Sequence, residues 1–141
     1  MSINDGQASP SSMASPKIEV LLVDDDPDVR CLLREMIETY EDLTIVGEAT
    51  DGEEAILLSA KLKPSVVIMD VQLPGLNGVQ STTLIRLKSP FTAVIALTVD
   101  PLGHEKAMRI AGAAAIVNKA EVFRALYPAI INAVKLVKHP T

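Results

Sequence analysis

From Lys17 onward, short apolar runs alternate with stretches whose apolar residues recur every third or fourth position. IEVLLV (18–23) is a continuous run of Leu and β-branched residues, as a strand covered on both faces requires. After it, Val29, Leu32, Leu33, Met36, Ile37 and Tyr40 keep helical spacing, and Asp26 before Pro27 supplies an N-cap and a first helical residue. The alternation continues with strand LTIVGEA (43–49) and helix DGEEAILLSAKLK (51–63), which Pro64 stops. Strand SVVIMD (65–70) precedes helix GVQSTTLIRLK (78–88), and strand TAVIALT (92–98) precedes helix LGHEKAMRIAG (102–112), closed by Gly112. Strand AAIVNK (114–119) leads into a last helix, in which Pro128 either begins the main part or introduces a kink. Five strand–helix units with buried strands predict an α/β fold, a parallel sheet between two layers of helices. Ligands of such sheets sit beyond the carboxyl ends of the strands, where the strand order reverses.

The strand ends are therefore where chemistry is expected. Asp24 and Asp25 follow the first strand, Asp70 ends the third, Thr98 the fourth and Lys119 the fifth, so all face one rim. The acidic run Asp24–Asp26 is costly in isolation, because like charges about 4 Å apart repel by roughly 4 kcal/mol at an effective dielectric of 20. Mg²⁺ relieves such repulsion, takes one or two carboxylates and keeps several waters. A carboxylate beside it can attack a phosphoryl group, with the cation, Lys119 and the Thr98 hydroxyl stabilising charge on the transferred oxygens. On this reading Asp24 and Asp25 hold the cation, while Asp26 caps the helix. An acidic run alone reads more simply as a solvated loop; Asp70, Thr98 and Lys119 at matching strand ends outweigh that reading.

Composition narrows the picture. The 141 residues carry a net charge of −5, which argues against nucleic-acid binding, since that needs a basic face. A single cysteine rules out an internal disulfide framework and favours a reducing cytoplasm. No apolar run approaches the roughly 18 residues that cross a bilayer, and the N-terminus lacks the basic-then-apolar order of a signal peptide. Residues 1–16, rich in Ser, Pro, Asn and Gly, are expected to form a flexible tail ahead of one domain over 17–141.

LLVDDDP, VVIMDVQLPGLNG, VIALT and GAAAIVNK, in that order, resemble the receiver domain of bacterial two-component response regulators over residues 17 to 137. GEATDGEEAILL and MDVQLPGLNG resemble the NarL/LuxR-type receivers most. The resemblance implies a flavodoxin-like (βα)5 three-layer sandwich with sheet order 2-1-3-4-5. It implies Asp70 as the phosphorylated residue, and Asp25, Asp70 and the Gln72 backbone carbonyl as Mg²⁺ ligands, with Asp24 acting through a metal-bound water. Thr98 and Lys119 would contact phosphoryl oxygens, while Gln72 and Asp100 would flank the path of the hydrolytic water. The donor would be a phosphohistidine on a sensor histidine kinase or phosphotransfer protein. The output would be altered partner binding, control of an output domain lying outside this chain, or self-association into a homodimer, without enzymatic turnover beyond slow self-phosphorylation and self-dephosphorylation.

Two positions depart from the family pattern. Ile116 stands where an aromatic ring usually follows the motion of the Thr hydroxyl, so coupling is expected to be smaller and to pass through the backbone of the loop after strand four. Ala120 stands where a cis-Pro often follows the Lys, and a cis bond before a non-proline costs about 3–4 kcal/mol, so a trans bond is expected. Four other residues take structural readings: Gly75 and Gly78 serve a turn and a helix entry, and His104 and His139 are surface residues. Cys31 is expected to be a buried or half-buried inert thiol. Three rival functions carry less support. A phosphohydrolase with an Asp nucleophile would need a cap or second acid, a degenerate receiver scaffold would not keep the acidic cluster, and a nucleotide-binding module would need a Gly-rich loop after the first strand.

Overall fold

A computed structural model describes residues 16–137, so the expected tail (except Pro16) and His139 lie outside the described residues. The chain forms β1 Ile18–Val23, α1 Pro27–Glu38, β2 Leu43–Ala49, α2 Gly52–Leu62 and β3 Val66–Asp70. It continues with α3 Gly78–Lys88, β4 Ala93–Thr98, α4 Pro101–Ala111, β5 Ala115–Asn118, a 3-10 turn Lys119–Glu121 and α5 Val122–Leu136. The five strands are all parallel, in the order β2-β1-β3-β4-β5. The sheet order and the five units are as expected.

Side-chain alternation along the strands builds the layers. On one face, Val20, Leu22, Ile68, Ile95 and Leu97 pack with Leu33 and Ile37 of α1 and with Leu126 and Ile130 of α5. On the other, Leu21, Val23, Val67, Met69 and Val94 pack with Ala55 and Ile56 of α2 and with Ile85 of α3. A smaller cluster of Val71, Ala96, Met108 and Ala113 lies under α4. Every residue of β3 and β4 is buried, as the continuous apolar runs require.

Local chemistry fixes the element ends. Asp26 caps α1 by accepting the Asp28 N–H at 2.9 Å, Asp51 caps α2 through the Glu54 N–H at 2.8 Å, and Asn77 and Gln80 form a reciprocal capping box on α3. Helix α2 ends on Lys63, which adopts φ +49° ahead of Pro64, and α4 ends on Gly112 at φ +108°.

Pro128 lies inside α5, which starts at Val122 and runs through it, so the proline does not begin the helix. Three expectations need correction. Lys119 does not end β5 but opens the following turn, because the Asn118 side chain accepts the Ala120 N–H at 2.9 Å and bends the chain. Leu32 is 44% exposed, and Cys31 is exposed with its Sγ 3.6 Å from Glu35 Oε2. Both lie off the face of α1 centred on Leu33 and Ile37, the two buried residues of that helix.

The segment that follows α1 also meets α5 through aromatic side chains. Tyr40 and Tyr127 stack with centroids 4.1 Å apart and planes 9° from parallel, and the Tyr127 hydroxyl donates to Asp42 Oδ2 at 2.6 Å. That bond to a carboxylate favours the protonated phenol and raises the Tyr127 pKa above its ordinary value. Spectrophotometric titration should therefore show one late-titrating tyrosine that returns toward the ordinary range in Asp42→Asn. An unchanged titration curve would show that the bond does not hold in solution.

Candidate functional site

Strand β1 lies between β2 and β3, so the switch point of the sheet falls between the carboxyl ends of β1 and β3. Asp24, directly after β1, is 1% exposed. Its Oδ1 accepts the Asp26 N–H at 2.9 Å. Arg30, on the first turn of α1, donates Nη1 to the Asp24 carbonyl at 2.7 Å and Nε to Glu48 Oε1 of β2 at 3.2 Å. Glu48 also accepts Arg34 Nε at 2.6 Å, and that bond above all holds its carboxyl below the usual range. The acidic loop is thus tied to both α1 and the neighbouring strand.

Asp70, the last residue of β3, is 4% exposed and accepts the Gln72 N–H on Oδ1 at 3.0 Å. Lys119 Nζ lies 3.3 Å from Asp70 Oδ2 and 3.3 Å from Asp24 Oδ2. Asp24, Asp25 and Asp70 each present a carboxylate oxygen, all within 4.8 Å of one another, with Asp25 on the exposed side. The loop after β3 is fitted closely to this acid. A Cβ at Gly78 would come within 2.6 Å of the Asp70 carbonyl, and Gly75 turns the chain at φ +70°.

Burial pushes the Asp70 carboxyl above the usual range and Asp24 adds to this, while the Gln72 N–H and Lys119 oppose it only in part. For Lys119, burial works downward, but the charges of Asp70 and Asp24 outweigh it and raise the ammonium pKa. Asp24 Oδ2 is buried and accepts no hydrogen bond, so Lys119 meets it as an ion pair only. An all-oxygen donor set with one orphaned carboxylate oxygen and excess negative charge fits a hard divalent cation.

Thr98 ends β4 at 2% exposed. Its Oγ1 accepts the Asp100 N–H at 3.0 Å and lies 3.1 Å from His104 Nδ1. Asp100 is the N-cap of α4, with Oδ1 accepting the Gly103 N–H at 3.1 Å, so the helix starts one residue earlier than the sequence reading placed it. Gln72 is exposed beside Asp70. Ile116 is half-buried against Val71, Ala96, Met108 and Ala113. No cis peptide occurs among the described residues, so the bond before Ala120 is trans as expected.

Asp24, Asp25, Asp70 and Lys119 are thus brought together, and Thr98 stands at the neighbouring strand end. Sequence reasoning missed two residues at this rim. His104, placed on the surface, is half-buried against Thr98; Arg30 was not singled out. Each lies four residues after an N-cap Asp, a spacing that brings a side chain back over the loop the Asp closes.

A parallel sheet whose switch point gathers carboxylates and a lysine, without a Gly-rich phosphate loop, is the architecture of a receiver module. The chain belongs to the response regulator receiver domain family, whose description matches residues 20–131, and it is a receiver of two-component phosphorelay signalling. It is 37% identical over 116 residues to the response regulator GacA of Pseudomonas protegens, covering 80% of this chain and 54% of that protein. It is 36% identical over 109 residues to protein-glutamate methylesterase/protein-glutamine glutaminase 4 of Myxococcus xanthus, covering 76% of this chain and 31% of that protein. The chain therefore spans about half or less of these curated relatives. Among solved structures, the response regulator domain of Thermotoga maritima CheB superposes with TM-score 0.78 at 32% identity, covering 84% of this chain and 97% of that one. A LuxR-family response regulator from Aurantimonas sp. SI85-9A1 gives 0.74 at 30% identity, covering 82% and 86%. No helix among the described residues is long and apolar enough to cross a membrane.

The raised pKa of Asp70 has a consequence for stability. A carboxyl whose folded pKa is raised opposes folding when ionised; the penalty is absent below the unfolded value and is complete once pH passes the folded value. At pH 7 without divalent cations, Asp70→Asn should therefore raise the denaturant midpoint. The gain should fade as pH falls into the carboxylate range. Equal denaturant midpoints at pH 7 would show that Lys119 compensates Asp70 fully.

Proposed function

We propose that Asp70 accepts a phosphoryl group from a phosphohistidine of a sensor histidine kinase or phosphotransfer protein, and that this chain switches partner binding in response. The observation that carries this reading is the setting of Asp70: a buried carboxylate at the switch point, with Lys119 Nζ 3.3 Å away and two further aspartates within 4.8 Å.

An Asp70 carboxylate oxygen attacks phosphorus, the P–N bond to the donor imidazole breaks, and the imidazole leaves with the bonding electrons. Lys119 and the Thr98 hydroxyl hold the equatorial oxygens as charge accumulates there. Asp25, Asp70 and the Gln72 carbonyl would hold Mg²⁺, with Asp24 joining through a water; the cation supplies charge neutralisation between carboxylates and phosphoryl oxygens. Hydrolysis reverses the bond: water attacks phosphorus, the P–O bond to Asp70 breaks, and the carboxylate returns. Gln72 and Asp100 flank that water and influence the lifetime, Asp100 doing so from its place as N-cap of α4.

The net charge of −5 disfavours nucleic-acid binding by this domain, and the single cysteine is in keeping with a cytoplasmic signalling role. The exposed Val99, Leu102 and Ile110 in and before α4 support partner docking or homodimer formation on that side. Turnover would be limited to slow self-phosphorylation and self-dephosphorylation, because the acids beside Asp70, Asp24 and Asp25, serve the cation rather than a further proton transfer.

Incubation with acetyl phosphate and Mg²⁺, followed by mapping of the adduct, should label Asp70 alone. Label that persists in Asp70→Asn would sink the assignment.

The neighbouring acids should separate by function. Asp25→Asn should weaken Mg²⁺ affinity at least tenfold, read by titration calorimetry. Asp26→Asn should leave it nearly unchanged and cost at most about 1 kcal/mol of stability through the α1 cap. Equal metal affinity in the two variants would place the ligand elsewhere.

A further inference from the structure

We infer that His104 is a positioning residue for the phosphoryl-transfer site, one that makes the Thr98 hydroxyl an obligate hydrogen-bond donor. The inference rests on the proposed contact between Thr98 and a phosphoryl oxygen.

His104 Nδ1 lies 3.1 Å from two oxygens, Thr98 Oγ1 and the Asp100 backbone carbonyl. The carbonyl can only accept. An unprotonated Nδ1 would set its lone pair against that oxygen, so the hydrogen-bond network assigns the proton to Nδ1. That N–H is shared between the Asp100 carbonyl and Thr98 Oγ1. The hydroxyl oxygen also accepts the Asp100 N–H at 3.0 Å. Both of its lone-pair positions are then taken, and its own hydrogen has no acceptor among its hydrogen bonds in the described structure. A phosphoryl oxygen is an acceptor without a proton to offer, and the hydroxyl is left with only a proton to give it.

The rest of the loop holds this arrangement in place. Asp100 closes it twice, its N–H bound to Thr98 and its Oδ1 bound to the Gly103 N–H at 3.1 Å. Proline at the first position of α4 fixes the entry of the helix, which sets the His104 ring one turn further on, over the loop. Thr98 itself is buried at 2% exposure, so water does not compete freely for its lone pairs. A hydroxyl without the His104 contact would keep an open lone pair and a second orientation in which its proton points away from the site.

The test is the rate of phosphorylation by acetyl phosphate at saturating Mg²⁺, measured in single and double variants. His104→Ala should slow it about three- to tenfold, the worth of one positioned hydrogen bond. Asn carries a side-chain N–H close to where Nδ1 sits, whereas the Gln amide reaches toward the Nε2 position. His104→Asn should therefore recover most of the rate and His104→Gln should not. In a Thr98→Ala background, His104→Ala should have no further effect, because the residue acts only through that hydroxyl.

A wild-type rate in His104→Ala overturns the inference. So does equal impairment in the Asn and Gln variants, or a full His104→Ala effect in the Thr98→Ala background. A wild-type rate in Thr98→Ala instead overturns the underlying reading that Thr98 touches the phosphoryl group. The two failures are thereby distinguished.

Discussion

Three carboxylates share one ammonium at the mouth of the sheet, and the loops around them are organised by that imbalance. Asp24 and Asp70 are nearly inaccessible to solvent, so neither is relieved by water. Each instead turns one oxygen onto a backbone N–H of its own loop, Asp24 toward Asp26 and Asp70 toward Gln72, and the other toward Lys119. These local bonds set the loop shapes, but they do not neutralise the excess charge. The parallel sheet makes the crowding unavoidable, because it delivers every strand end to the same rim, and the apolar layers above and below hold those ends in place. The site is strained electrostatically by the same packing that stabilises the fold. That strain is what a divalent cation held among these carboxylates would relieve.

Much of this was legible in the sequence for a simple reason: the signals that mattered were local or periodic. Continuous β-branched runs marked the buried strands, and the acids and lysine behind them marked the rim. The Asp-Pro step at residues 26–27 marks a helix start in both sequence and structure, while the equivalent step at 100–101 starts α4 one residue ahead of the apolar pattern that follows it. The expectations that failed involve angle around a helix. Leu32 and Cys31 differ from Leu33 by a turn of the screw that a list of apolar positions does not resolve, and only the docking of α1 on the sheet selects Leu33 and Ile37. His104 failed for the opposite reason: a polar residue on a mostly exposed helix carries no periodic signal, and its contact with Thr98 exists only once α4 is anchored by Pro101 and Asp100.

The two faces of the sheet are unequally secured. Helices α1 and α5 cover one face with a large continuous core, and the segment after α1 is further joined to α5 by the Tyr40–Tyr127 stack. Helix α4 rests on a small cluster of Val71, Ala96, Met108 and Ala113, with Met108 as its principal buried side chain and Leu102 and Ile110 turned to solvent. Elements with few buried apolar contacts are the ones that shift at low free-energy cost. Ile116 lies in that same small cluster, filling space beneath α4 with a side chain that has few rotamers to choose from. A change at Thr98 therefore meets a stiff neighbour on β5 and a lightly held neighbour on α4. The His104 side chain reaches Thr98 from that lightly held element, so the hydroxyl has a direct side-chain connection to α4 in addition to the loop backbone. The hydroxyl is thereby tied by a hydrogen bond to α4, whereas Ile116 of β5 is tied to that helix only by packing in the small cluster beneath it.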